Sequence, residues 1–171
     1  IAFALARAGI GKLILIDFDS VDITNLHRQQ YKANQIGISK TQALRENLLE
    51  IAPYVTIETH SVRISENNAE ELLEEADIIC EAFDDAECKA MLVNLVIERM
   101  PIKYLVTASG MAGFGSVNAI QTRRVSKQFY ICGDGTSDVQ SEGSLVASRV
   151  MLCAAHQAHT VLRILTEQFE T

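Results

Sequence analysis

Asp17, Asp19, Asn25, Arg28, Gln29 and Lys40 share one segment, Ile14–Lys40, which reads ILIDFDSVDITNLHRQQYKANQIGISK. Two acids close a β-branched run, a polar and basic stretch follows, and a lysine stands at the start of the next helix. Carboxylates at a strand end accept bonds from ribose hydroxyls. Arg28 offers a planar fork of donors to phosphate oxygens, Lys40 a mobile point charge, and Gln29 an uncharged donor and acceptor. Together they suit the holding of a nucleotide by its ribose and phosphates. Aspartates after a strand also form turns and caps. A merely solvated basic loop, however, does not explain why a chain of net charge −7 gathers these residues there.

A second group sits in ADIICEAFDDAECK, where a buried strand empties into Glu81, Asp84 and Asp85. Magnesium is held by few carboxylates together with phosphate and water oxygens, and three acids at a strand end meet that need. Asp84 or Asp85 serves equally as the N-cap of the following helix, with Glu87 in its first turn. The glycines of TASGMAGFGS read as a close-packed turn or mobile loop, since no helix N-terminus follows to receive an anion. His156 and His159 stand at i, i+3 without a third ligand, which favours packed or interface histidines over a metal site. Cys80, Cys88, Cys132 and Cys153 show no C-x-x-C spacing, so they read as small hydrophobes in a reducing, cytoplasmic setting.

The elements that must position these residues alternate between strand and helix. IAFALARAG reads as a helix already under way, followed by strand Lys12–Ile16, a mostly irregular stretch 19–36 with one short helical turn, and a helix 39–51 ended by Pro53. Strand 55–60, helix 67–76, strand 77–81, helix 85–98 and strand 104–107 continue the alternation. This predicts an α/β, doubly wound, Rossmann-like fold with a mostly parallel sheet. Residues 117–122 and 128–132 lack room for a helix between them and are expected as an added antiparallel strand pair. Residues 145–167 are expected as a long C-terminal helix, apolar nearly all round and so buried in the domain or at a subunit interface. One domain spans 1–171. No apolar run approaches the length of a membrane span, and the acidic balance makes nucleic-acid and membrane partners unexpected.

The first segment resembles the ThiF/MoeB family of ubiquitin-activating-like adenylating enzymes, whose hallmark is D-x-D-x-V-x-x-x-N-L-x-R-Q…G-x-x-K. The chain matches it at Asp17, Asp19, Val21, Asn25, Leu26, Arg28, Gln29, Gly37 and Lys40. The resemblance implies ATP as the nucleotide, with Asp17 on the ribose, Asp19 and Gln29 lining the same site, and Asn25, Arg28 and Lys40 on the phosphates. It aligns Asp84 with the second Asp of the family's D-x-x-D-N, which organises Mg²⁺–ATP; Glu81 and Asp85 depart from that pattern. The family's phosphate-binding G-x-G-G-x-G is expected upstream of Ile1, together with a strand.

The chemistry so implied is attack of a carboxylate on the ATP α-phosphorus, giving an acyl-adenylate and pyrophosphate. The acceptor would be the C-terminal glycine of a small ThiS-like sulfur carrier protein, in the assembly of the thiamine thiazole. Lacking the two C-x-x-C pairs of many relatives, the chain resembles a short branch in which no structural zinc is expected. The loop 133–143 holds no cysteine for a covalent step. A homodimer is the usual family state. Adenylation of a modified tRNA base and a non-catalytic nucleotide- or carrier-binding module are the competing readings. A nicotinamide-dependent oxidoreductase is disfavoured, because N-L-x-R-Q and the lysine have no role in hydride transfer.

Overall fold

A computed structural model describes residues 1–170, which divide into two compact units, 1–64 and 65–170. The first unit opens with α1 (Ala2–Arg7) and β1 (Lys12–Ile16), and continues through a long loop to α2 (Lys40–Ile51) and β2 (Thr56–His60). β1 and β2 pair in parallel, with Lys12 opposite Thr56 and Ile16 opposite His60. A parallel pair needs a crossover, and α2 supplies it. Ala43 and Leu48 of α2 are fully buried, and Leu48 joins Ala6, Ala52 and Val55 in the core of this unit. Gly9, at φ +91°, turns the chain out of α1 in a conformation that other residues rarely adopt.

The second unit runs α3 (Ala69–Leu73), β3 (Ile78–Cys80), α4 (Ala86–Arg99), β4 (Tyr104–Ala108), β5 (Gln121–Arg124), β6 (Phe129–Gly133), α5 (Val139–Glu142) and α6 (Ala147–Leu165). Its sheet has the order β3-β4-β6-β5, parallel except for the antiparallel β5–β6 pair. The doubly wound α/β class with an added antiparallel strand pair is therefore what the chain adopts. Among the described residues no helix is long and apolar enough to cross a membrane.

Several elements depart from expectation in instructive ways. Residues 117–122 do not form one strand: Val117–Ala119 make a 3-10 turn with Ser116 as cap, and β5 begins at Gln121. The stretch 19–36 holds two 3-10 turns, Ile23–Asn25 and Ala33–Gln35, where one was expected. α6 is amphipathic rather than apolar all round. Arg149, Cys153, Gln157, Val161 and Ile164 recur at helical spacing on the buried side, while Met151 and Leu165 are exposed. The buried polar members have partners: Gln157 Nε2 donates to the carbonyl of Glu81 at 2.9 Å.

Candidate functional site

The loop after β1 returns to the strand it left. Val21 N–H donates to Ile38 O at 2.8 Å, Gly37 N–H to Val21 O at 2.8 Å, and Lys40 N–H to Asp19 O at 2.8 Å. Gly37 has φ +88°, so the G-x-x-K spacing contains the one residue type that makes this return without strain. Gln35 and Asn47 lock the loop onto α2. The Gln35 amide donates to Asn47 Oδ1 at 3.0 Å and Asn47 donates to the carbonyl of Gln30 at 3.1 Å.

This closure seats Lys40 against the acids of the strand end. Its Nζ lies 2.6 Å from Asp19 Oδ2 and 3.9 Å from Asp17 Oδ2, and Asp17 Oδ1 accepts the Asp19 N–H at 2.9 Å. The lysine expected as mobile is held: its side chain is 11% exposed, against 44% for Asp19. The ion pair thus has one sheltered and one solvated partner, an arrangement of modest strength that a polyanion can rearrange. Tyr31, absent from the sequence reading, belongs to the same neighbourhood. Burial first, and then the charges of Asp17 and Asp19, push its hydroxyl above the usual tyrosine range.

Asn25, Arg28 and Gln29 are set by a single tight turn. Asp22 Oδ1 accepts from Thr24 N at 2.8 Å while Asn25 Oδ1 accepts from Asp22 N at 2.9 Å, a reciprocal cap. The Thr24 hydroxyl, donating to the same oxygen at 2.6 Å, and then the Thr24 N–H hold the Asp22 carboxyl below its ordinary range. The N–H groups of Arg28 and Gln29 both donate to Asn25 O, at 3.1 and 2.9 Å. Arg28 NH1 donates to Thr24 O at 2.9 Å, which steadies the guanidinium on the turn. Asn25 is buried and its amide oxygen is committed to the cap, leaving its NH₂ as the group able to donate to a ligand. Asp22 was legible in principle, because D-x-x-N spacing is itself a capping signal.

Asp84 belongs to the second unit, where the three acids after β3 have separate roles. The Glu81 side chain is fully buried and both its oxygens accept from Lys89 Nζ, at 2.7 and 2.6 Å. Asp85 is the N-cap of α4, accepting from Cys88 N at 2.7 Å. Asp84 is exposed, with no hydrogen bond or ion pair to any described residue. Among the described residues no group of three His, Cys, Asp or Glu side chains is arranged to hold a metal ion. A single free carboxylate still fits magnesium brought in with phosphate oxygens, since that ion keeps several waters and needs only one or two protein carboxylates.

The histidines and cysteines are structural in their contacts. His156 Nδ1 lies 3.0 Å from Thr122 Oγ1 and ties α6 to β5, while His159 is exposed. Burial pushes the thiols of Cys80 and Cys153 up to about 12. It raises Cys132 as well, whose sulfur lies 3.6 Å from Thr122 Oγ1. Such thiols stay protonated and inert. The sequence reading also missed a buried ion pair, Asp134–Arg149, whose side chains are 9% and 3% exposed.

With this geometry in place, comparison with known proteins is informative. The model of the ThiF family matches residues 1–171. The adenylyltransferase and sulfurtransferase UBA4 of Lodderomyces elongisporus is 26% identical over 168 residues, covering 95% of this chain and 36% of that protein. The ubiquitin-like modifier-activating enzyme 5 of Caenorhabditis elegans is 48% identical over 65 residues, covering 38% of this chain and 16% of that protein. The chain thus spans about a third or less of the length of these curated relatives. Among solved structures, the Escherichia coli tRNA N6-threonylcarbamoyladenosine dehydratase TcdA superposes with a TM-score of 0.80 at 19% identity, over 97% of this chain and 82% of that one. E. coli MccB with ATP superposes with a TM-score of 0.70 at 20% identity, over 99% of this chain and 52% of that one. At these identities the structural likeness establishes the fold.

Proposed function

This chain belongs to the ThiF family, and on that premise we propose that it activates a carboxylate by adenylation with ATP. The acceptor is the C-terminal glycine of a ThiS-like sulfur carrier, and the product serves thiamine thiazole assembly. The observation that carries the reading is the seat of Lys40 beside Asp19 and Asp17, with the capped turn that carries Asn25 and Arg28 in the loop between them. Asp17 receives the ribose hydroxyls, Asp19 and Gln29 line the same site, and Asn25, Arg28 and Lys40 take the phosphates. An acceptor carboxylate oxygen attacks the α-phosphorus, the bond to the bridging oxygen breaks, and pyrophosphate leaves. The acceptor enters already ionised, so no general base is needed. Negative charge gathers on the departing pyrophosphate, where Arg28 and Lys40 neutralise it, and the remaining work is alignment. Asp84 is the residue that would hold Mg²⁺, and the ion would supply further neutralisation of phosphate charge. The relative UBA4 is an adenylyltransferase and sulfurtransferase, and that pairing of activities supports a carrier as acceptor.

A second acceptor, a carboxylate on a modified tRNA base, is favoured by one observation. The solved structure that this chain overlays across 82% of its length is that of a tRNA N6-threonylcarbamoyladenosine dehydratase. The net charge of −7 favours the carrier. ATP–pyrophosphate exchange by the full chain, with Mg²⁺ and a Gly-Gly-terminated carrier, separates the two. Carrier-dependent exchange that falls about a hundredfold or more in Asp84→Ala is the expected outcome. ATP binding without carrier-dependent exchange moves the acceptor to tRNA or reduces the chain to a binding module.

A further inference from the structure

Parallel strands leave their sheet side by side, and the two units hold those exits in different ways. In the second unit backbone makes the join. Asp134 N–H donates to Gly110 O and Gly135 N–H to Ser109 O, at 2.9 and 3.0 Å. Glycine permits the approach: a Cβ at Gly110 would stand 2.0 Å from Asp134 Oδ1, and one at Gly133 1.8 Å from Ser109 O. In the first unit side chains take over. Asp17 N–H donates to His60 O at 3.2 Å, and Ser20 bridges Ser39 in antiparallel fashion. Ser61, the next residue out of β2, then meets the start of α2 through hydroxyls. Its Oγ lies 2.8 Å from Ser39 Oγ and 2.8 Å from Thr41 Oγ1, and those two lie 3.0 Å apart.

The three oxygens close a triangle. Each hydroxyl has one hydrogen, so three hydrogens serve three contacts when all run round in one sense, each oxygen donating once and accepting once. Ser39 leaves another role to join the ring. As N-cap of α2 a serine ordinarily accepts from first-turn N–H groups, yet its side chain makes no cap bond. Local rules of this kind are broken where function asks for it. Between two corners of the ring stands Lys40. Ser39 precedes it, Thr41 follows it at 2% exposure, and its own N–H donates to Asp19 O at 2.8 Å. An uncapped first turn frays, and fraying would swing the lysine off the acids it faces at 2.6 and 3.9 Å. The ring stands in for the cap, and it does so by fastening both neighbours of the lysine to a strand of the sheet.

We propose that Ser61 is a positioning residue: with Ser39 and Thr41 it fixes the first turn of α2, and so the direction from which the Lys40 ammonium reaches the phosphates. The assignment rests on the nucleotide role of Lys40 given above. Its test compares Ser61→Val with Ser61→Thr in the full chain, since the two side chains share a shape and only threonine keeps the hydroxyl. Amide hydrogen exchange of residues 40–43 in the ligand-free protein is expected to speed up about tenfold in Ser61→Val and to stay near wild type in Ser61→Thr. Maximal carrier-dependent ATP–pyrophosphate exchange is expected to fall about tenfold in Ser61→Val, with the carrier KM unchanged and most of the rate recovered in Ser61→Thr. Added to Lys40→Ala, Ser61→Val is expected to bring no further loss, because it acts through the lysine. Ser61→Val and Ser61→Thr that behave alike, a loss that persists in full on top of Lys40→Ala, or unaltered amide exchange of residues 40–43 in Ser61→Val overturns the proposal. Ser39→Ala opens the ring at another corner and decides in the same way if Ser61→Val does not fold. Wild type that binds ATP without carrier-dependent exchange sinks the acceptor reading and leaves the ring to be judged by ATP affinity. That affinity is expected to fall about threefold in Ser61→Val, and no further when Ser61→Val is added to Lys40→Ala. Wild type that binds no ATP overturns both.

Discussion

Each unit places acids at the end of a parallel strand and a lysine on the helix beyond, yet the two pairs are built for different ends. In the first unit Lys40 is sheltered while its partner Asp19 is 44% exposed, so the pair has an open side. In the second, the partner that lies fully inside is the acid: Glu81 has no exposed side chain, and Lys89 closes over it at 2.6 Å. An open pair can exchange its carboxylate for a ligand's phosphate at little cost, whereas a closed one cannot let go without stranding a charge. The comparison teaches that an acid–lysine pair after a strand is read by which partner faces water, not by its presence.

Breaking the open pair is expected to have the largest consequence, and to show it in activity. Lys40→Ala should lower carrier-dependent ATP–pyrophosphate exchange on the order of a thousandfold. Its urea midpoint should stay near wild type; a collapse of the fold instead would erase the contrast. The closed pair should behave oppositely. Lys89→Met leaves Glu81 buried and uncompensated, and should remove about 3 kcal/mol of stability in urea or thermal unfolding. A loss well under that would show that Glu81 can relax to water.

Acid titration sharpens the contrast further. Burial alone would raise the Asp134 carboxyl. The N–H groups of Ser137 and Thr136, the Ser137 hydroxyl and Arg149 outweigh it and hold the group well below the ordinary carboxylate range. A carboxyl whose pKa is depressed on folding contributes fully above its unfolded value, near pH 4, and loses that contribution as pH falls below it. Urea unfolding from pH 7 to pH 2 should therefore separate wild type from Asp134→Asn at neutral pH and narrow the gap progressively below about pH 4, the contribution vanishing only beneath the depressed folded value. A gap that persists undiminished at the lowest pH would place the effect elsewhere. Smallest of all, Asp19→Ala should change stability by no more than about 1 kcal/mol, because its carboxylate is 44% exposed and Asp17 Oδ2, 3.9 Å away, remains beside Lys40.

Much of the fold was legible because it is written locally. The β-branched run Lys12–Ile16 is β1 residue for residue, and Asp85 caps α4 as its place before an apolar-periodic helix allows. The strand-end acids and the G-x-x-K spacing also foretold that Asp17, Asp19 and Lys40 would meet, since the pieces lie within one loop and its return. Local pattern misled at Ser116–Ile120, whose alternation of small polar and apolar residues mimics a strand, although Ser116 is a turn cap. What stayed hidden depends on which helix face meets which strand exit. Asp134 and Arg149 are separated by a turn, a short helix and a change of direction, and no periodicity pairs them. The same holds for α6, expected to be apolar nearly all round, in which Arg149, Gln157 and Thr160 are buried with polar partners.

Gly133 carries a consequence of its own. With Ser109 O where its side chain would begin, and with Gly110 equally pressed against Asp134, the ends of β4 and β6 share one space. Loops on a protein surface ordinarily change length independently, each absorbing its own insertions. These two cannot: a residue added to either would displace the backbone of the other, so neither changes length without the other adjusting.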